Sequence, residues 1–245
     1  MKRAWYLGVT EVEVPERVIL VGDRGRVLRA ADMLDGVRIL NEDRGLTTAL
    51  GSWQDARVMV AAFGMGAPIA AIVMHELAAL GAELFVRAGT MMTRSPALGT
   101  FIVAERALIH EGTSATYGVT GPAVDLDPEI ARQLVGAADG QPVASGTVAS
   151  CDGFYTQMTD LLGGRPDGKE LDRVWDEEGV LGIDMETSAL ASAARRLGVG
   201  FGSICLASVS QDGPRTMDPE ERGAAEARLL HIALNVLIDH RKESA

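Results

Sequence analysis

Three arginines stand where short apolar runs give way to loops. Arg26 follows Gly22-Asp23, Arg44 precedes Thr47-Thr48, and Arg87 precedes Gly89-Thr90. A guanidinium fork can hold an oxyanion through two parallel N–H bonds, and a glycine-rich turn brings backbone N–H groups to the same oxygens. Gly22-x-x-x-Arg26 and Arg87-x-x-Thr90 therefore read as parts of a phosphate site. Arginines so placed can equally be solvated surface charges. A second constellation, Asp184-Met185-Glu186, marks the junction between a strand pattern and an Ala/Ser-rich helix pattern. A carboxylate there can accept the two hydroxyls of a sugar diol while a methionine lies under the ring. It can also be a helix N-terminal carboxylate favoured by the dipole. Polar residues follow a buried run at Ser208-Val209-Ser210-Gln211-Asp212-Gly213, as proton donors, base contacts or simply a turn.

The elements that must carry these groups follow from the apolar pattern. Strands are expected at 18–21, 57–63, 83–87, 100–104 and 202–209, with another ending at Ile183-Asp184-Met185-Glu186. Helices are expected from about Pro68 to Leu80, from Thr187 to Leu197, and onward from Asp218-Pro219. Residues 112–127 and 135–142 read as loops, and Gly163 to Lys169 as an exposed flap beside the site. Strands alternating with helices point to an α/β fold of three layers, α/β/α, with a central mixed, mostly parallel twisted sheet. With no internal repeat and no clear linker, residues 1–245 are expected to form one domain.

Composition narrows the functions this fold can serve. The chain has 245 residues, 47% hydrophobic, 23% charged and only 4% aromatic, with 28 glycines. That describes a compact protein with closely packed backbones. Its 34 acidic against 23 basic residues give a net charge of −11, which disfavours nucleic acid and anionic membrane as partners. Cys151 and Cys205 lie far apart with no Cys-x-x-Cys spacing, as expected of buried thiols in a cytoplasmic protein. No stretch reads as a signal peptide or membrane span. His75, His110, His231 and His240 lack metal-ligand spacing, so no metal is expected. Gly64-Met65-Gly66 fails as a dinucleotide fingerprint, because Ile69 holds the third glycine position and the following strand ends at Arg87 with no acidic residue.

Taken in order, these segments resemble the hexameric nucleoside phosphorylase family, which includes uridine phosphorylase and bacterial-type purine nucleoside phosphorylase. The likeness runs through Tyr6-Leu7-Gly8-Val9-Thr10, Val21-Gly22-Asp23-x-x-Arg26, Arg44-x-x-Thr47-Thr48, Gly64-Met65-Gly66, Arg87-x-Gly89-Thr90, Asp152-x-Phe154-Tyr155 and Met185-Glu186. It implies cleavage of a nucleoside by orthophosphate to free base and pentose 1-phosphate, with no cofactor beyond phosphate as co-substrate. By that resemblance Gly22, Arg26, Arg87 and Thr90 would hold phosphate, with Arg44 reaching into a neighbouring subunit's site. Tyr6, Met185 and Glu186 would bind ribose, while Phe154, Gln157 and Met92 would contact the base, with Asp152-x-Phe154-Tyr155 as the base-pocket strand. The implied assembly is a hexamer, a trimer of dimers.

Departures from the family pattern bear on substrate. Tyr6 stands where the family has His, Met91-Met92 where it has Gly, and Asp184 where it has Glu. The catalytic position after the last strand reads Gln211, with Asp212 one residue later. Gln cannot act as a general acid, so either Asp212 takes that role, which is the expectation, or neutral hydrogen bonding from Gln211 suffices, with Arg87 as the third catalytic residue. The Arg44-x-x-Thr-Thr and Glu111-Gly112-x-Ser114 segments lean toward uridine phosphorylase. The alternatives are a purine nucleoside phosphorylase, a nucleosidase using water, and a nucleoside-binding protein that has lost catalysis. Retention of Arg26, Arg44 and Arg87 favours a phosphorylase over a nucleosidase.

Overall fold

Val18-Ile19-Leu20-Val21 shows why the sheet is buried on both faces. Val18 and Leu20 pack into the apolar layer on one side and Ile19 and Val21 into the layer on the other. Alternating side chains that are all apolar require cover on both faces. The computed structural model describes residues 1–95, 97–159, 173–177, 179–211 and 215–240.

The central strand β1 (Arg17–Val21) lies between β4 (Ala56–Ala62) and β5 (Leu84–Thr93), parallel to both. Beyond β4, β3 (Thr48–Trp53) and β2 (Asp35–Asn41) continue the sheet antiparallel. On the other side β5 pairs in parallel with β10 (Gly200–Ser210), which runs antiparallel to β6 (Phe101–His110). β6 pairs with β8 (Val143–Cys151), β8 with β9 (Val180–Asp184), and β9 returns to β5 through Met92 and Ile183. The mixed sheet thus curls until β5, β10, β6, β8 and β9 form a closed ring. β7 (Ala123–Asp125) adds to β6.

Helices complete the three expected layers. α2 (Ala67–Ala79) and α5 (Thr187–Leu197) cover one face. α1 (Arg24–Ala31), α4 (Pro128–Ala137) and α6 (Pro219–Asp239) cover the other, and α3 (Thr113–Thr116) is a single turn. Both α4 and α6 start with Asp-Pro. Asp127 accepts hydrogen bonds from the N–H groups of Glu129 and Ile130, and Asp218 from those of Glu220 and Glu221, satisfying donors that a helix start leaves free. Gly202 accounts for part of the glycine content: a Cβ there would come within 2.4 Å of Ile130 on α4. Among the described residues no helix is long and apolar enough to cross a membrane.

Several local expectations need correction. The strand expected to stop at Arg87 continues as β5 through Ala88-Gly89-Thr90 to Thr93, because β10 pairs with it along that whole length. The stretch expected as loop at 112–127 contains α3 and β7, and α4 extends to Ala137. Asp152-x-Phe154-Tyr155 is not a strand: Phe154–Met158 forms one wide π-helical turn after β8, closed by the Thr159 N–H donating to the Phe154 carbonyl. The whole of the expected flap, 163–169, lies outside the described residues, as does Asp212.

Candidate active site

The carboxyl-end rim of β1, β4, β5, β9 and β10 encloses a pocket of about 420 Å³, within the size range of small-molecule sites. Eight of the residues singled out from sequence meet there: Gly22, Arg26, Arg87, Thr90, Met92, Phe154, Met185 and Glu186. They divide into a cationic end, a carboxylate with a methionine, and an apolar end.

The cationic end is built from two buried arginines. Arg26, on the first turn of α1, donates from Nη1 to the Ala88 carbonyl at 2.7 Å, which ties α1 to β5. Arg87 extends from β5 with its Nη2 at 2.5 Å from Glu186 Oε2 and 3.1 Å from Asp184 Oδ2. Its Nη1 donates to Cys205 Sγ at 2.8 Å. Among the described residues the Nε of each arginine is buried without a hydrogen-bond partner. Donors in that state await an acceptor, since buried polar groups are otherwise almost always satisfied. Burial lowers the Arg26 pKa, with Glu226 opposing that shift and Arg87 adding to it. Burial would also lower that of Arg87, but Cys205, Asp184 and Glu186 outweigh it and hold the guanidinium above its ordinary value. Burial keeps Cys205 a neutral thiol near neutrality, so the two carboxylates supply the compensating charge.

Gly89 makes this arrangement possible. The Arg87 side chain folds back across it, and a Cβ on Gly89 would lie 1.5 Å from Arg87 Nη1 and 2.7 Å from Cys205 Sγ. Gly89→Ala must therefore expel the guanidinium from its seat. The expected result is a stability loss of about 1–3 kcal/mol, typical of overpacking. Thermal melting measures it, and an alanine variant as stable as the parent would contradict this reading.

The two carboxylates divide the roles left open for Asp184-Met185-Glu186. Asp184 serves the framework: it accepts from Ser150 Oγ at 2.6 Å, the Glu186 N–H at 3.2 Å and Thr187 Oγ1 at 2.5 Å, closing the start of α5. Glu186 faces the pocket, accepting from the Gly66 N–H at 2.7 Å as well as from Arg87. Met185 lies beside it, and Met92, Phe154, Met158 and Val209 form the apolar end. A register shift between Ala207 and Val209 interrupts the regular pairing of β10 with β5 at Ser208, and both Ser208 and Val209 line the pocket.

Other expected residues lie elsewhere. Gln157 Oε1 accepts from the Gly153 N–H at 2.8 Å, and Gln157 does not line the pocket. Gln211 Oε1 accepts from Arg94 Nε at 3.2 Å and is likewise outside the lining. Glu111 is buried in a network with Ser114 and Ser188 and does not line the pocket. Tyr6 and Arg44 pack together outside the pocket, the guanidinium carbon 5.6 Å from the ring centre, and both are exposed. Arg222 was not expected. It reaches the pocket from the start of α6, more than a hundred residues beyond the other arginines, and its one local signal is Glu226 four residues on.

Residues 16–238 match the Phosphorylase superfamily. This chain belongs to that family. It is 31% identical to a guanosine phosphorylase of Halorubrum lacusprofundi over 97% of this chain and 99% of that one. A uridine phosphorylase of Thermococcus kodakarensis is 32% identical over 79% of this chain and 72% of its own. The solved uridine phosphorylase of Vibrio fischeri ES114, in complex with 6-hydroxy-1-naphthoic acid, superposes with a TM-score of 0.86 at 28% identity over 98% of both chains. Burial of Arg26 and Arg87 excludes the reading of these two arginines as solvated surface charges.

Proposed function

We propose that this protein is a nucleoside phosphorylase, a cytoplasmic pentosyltransferase of nucleotide salvage that cleaves the N-glycosidic bond with orthophosphate. The observation that carries the reading is the pair of buried arginines with unpartnered Nε groups beside Met185 and Glu186 in one pocket. Phosphate takes the cationic end, held by Arg26, Arg87, Thr90 and the backbone at Gly22. The sugar lies on Met185 with its hydroxyls toward Glu186, and the base occupies the apolar end against Phe154 and Met92. As the C1′–N bond breaks, its electron pair leaves with the base, which takes up a proton. A phosphate oxygen forms the new bond to C1′. Positive charge that develops on the sugar is stabilised by the phosphate and by Glu186, so positioning and electrostatics supply most of the rate. The two cysteines are buried and unpaired, which supports a reducing compartment.

The proposed site is shared between subunits of a hexamer. Within one chain the pocket arginines Arg26, Arg87 and Arg222 are matched by the pocket carboxylates Asp23, Asp184 and Glu186. A phosphate dianion entering a balanced pocket gains from a further cation, and Arg44 of a neighbouring subunit is the candidate. Arg44 and Tyr6 lie at an exposed surface that also carries Trp5, 87% exposed. Arg44→Ala should raise the KM for phosphate at least about ten-fold, the scale of one lost charge-assisted contact. The fold of the chain should stay intact, because within its own chain the Arg44 side chain is exposed. Unaltered phosphate dependence in that variant would exclude the shared site.

The test of the function is release of free base from guanosine, inosine, adenosine and uridine, with and without phosphate. Release that requires phosphate supports the proposal and identifies the base. Release in water alone would make the protein a nucleosidase, and no release would remove the catalytic reading.

A further inference from the structure

Glu226 is an almost fully buried carboxylate that does not itself line the pocket. It lies on α6, 4% exposed, and joins two arginines from different elements. Oε2 accepts from Arg29 Nη1 on α1 at 2.7 Å, and Oε1 accepts from Arg222 Nε at 3.0 Å. Each arginine is the neighbour of something in the site. Arg29 follows Arg26 by one helical turn, and Arg222 itself lines the pocket. Among the described residues the terminal Nη groups of Arg222 have no other hydrogen-bond or ionic partner.

From this geometry we infer that Glu226 is a positioning residue for the anion site, holding Arg222 by its Nε so that the Nη groups are presented to phosphate. The inference rests on the phosphate reading above. Arg222 has a flexible side chain that is 44% exposed, so without an anchor it would sample many rotamers in solvent. Fixing one edge of a guanidinium to a buried carboxylate removes that freedom before the ligand arrives and lowers the entropic cost of the ligand contact. The tie to Arg29 fixes the carboxylate in turn, so that α1 and α6, which both bring arginines to the pocket, are held to one another. Glu226 also offsets the destabilising effect of burial on the Arg26 cation.

The experiment is a double-mutant cycle on the full chain, read as inorganic phosphate binding by calorimetry, with Glu226→Leu, Arg222→Met and the pair. Glu226→Leu should fold, because the heads of Arg29 and Arg222 are 36% and 44% exposed and can turn to solvent. Should it fail to fold, Glu226→Gln takes its place, since an amide has one acceptor oxygen for two guanidiniums. Each single variant should weaken phosphate binding on the order of ten-fold, and the pair should be no weaker than the worse single, because both remove the same contact. Two results would overturn the inference while leaving the phosphate site intact: Glu226→Leu binding phosphate as tightly as the parent, or losses that multiply in the pair. A parent protein that binds no phosphate would overturn the inference and the phosphate reading together.

Discussion

Arg87→Met should abolish phosphorolysis and destabilise the protein by about 3–5 kcal/mol, the cost of removing one partner from a buried ion cluster. Arg87 is 3% exposed and stands between Asp184 and Glu186 at 3.1 and 2.5 Å. The uncharged side chain would leave two carboxylates facing each other in a buried site with no cation between them. Activity should fall at least about 10³-fold, the scale on which a group stabilising transition-state charge acts. Arg87→Lys separates the two effects. Its ammonium keeps the charge but cannot span Asp184, Glu186 and Cys205 as the fork does, so stability should recover more than activity. Urea unfolding midpoints and kcat/KM for phosphate in both variants give the comparison. An Arg87→Met protein as stable as the parent would mean that the carboxylates are compensated by something other than this arginine.

That cluster shows where sequence reasoning reached the site and where it stopped. Gly22, Arg26, Arg87 and Thr90 were legible because the apolar run of β1 ends at Gly22 and the apolar run that opens β5, Leu84-Phe85-Val86, leads into Arg87 and Gly89, and α/β folds bind ligands at that rim. Met185 and Glu186 were legible for the same reason at the end of β9. Which carboxylate faces the ligand was not, because that depends on Ser150 of β8 and Thr187 capturing Asp184. β8 itself, Val-Ala-Ser-Gly-Thr-Val-Ala-Ser-Cys, was hidden by its small side chains, which bury in a ring of strands without producing a run of large apolar residues. The inward turn of Gln157 is a matter of rotamer and not of residue type. Arg222 was beyond reach for a third reason. Its place in the pocket depends on the curl of the sheet and the docking of α6, neither of which leaves a local trace. The ring closure was similarly silent, because it rests on β5 pairing with both β9 and β10.

Glu186→Gln should preserve the fold and lower kcat/KM for a ribonucleoside by about 10²–10³-fold, the range seen when a group acting on transition-state charge is neutralised. The amide is isosteric, its carbonyl can still accept from the Gly66 N–H, and Asp184 still pairs with Arg87. What is lost is the negative charge that Glu186 presents to Arg87 and, in the proposed site, to the sugar. That charge matters most when the C1′–N bond is breaking and the ring becomes cationic, so the loss should appear mainly in kcat and less in KM. In the proposed site the same carboxylate reads the sugar hydroxyls, and a site built to bond a hydroxyl discriminates against an analogue lacking it. The variant should therefore also show a smaller preference for the ribonucleoside over its 2′-deoxy analogue. Steady-state kinetics on that pair, at saturating phosphate, measures both effects. A fall in rate with the sugar preference intact would assign Glu186 to holding Arg87 alone. A changed preference with normal phosphate KM would place it against the sugar, because Arg87 would then have kept its seat.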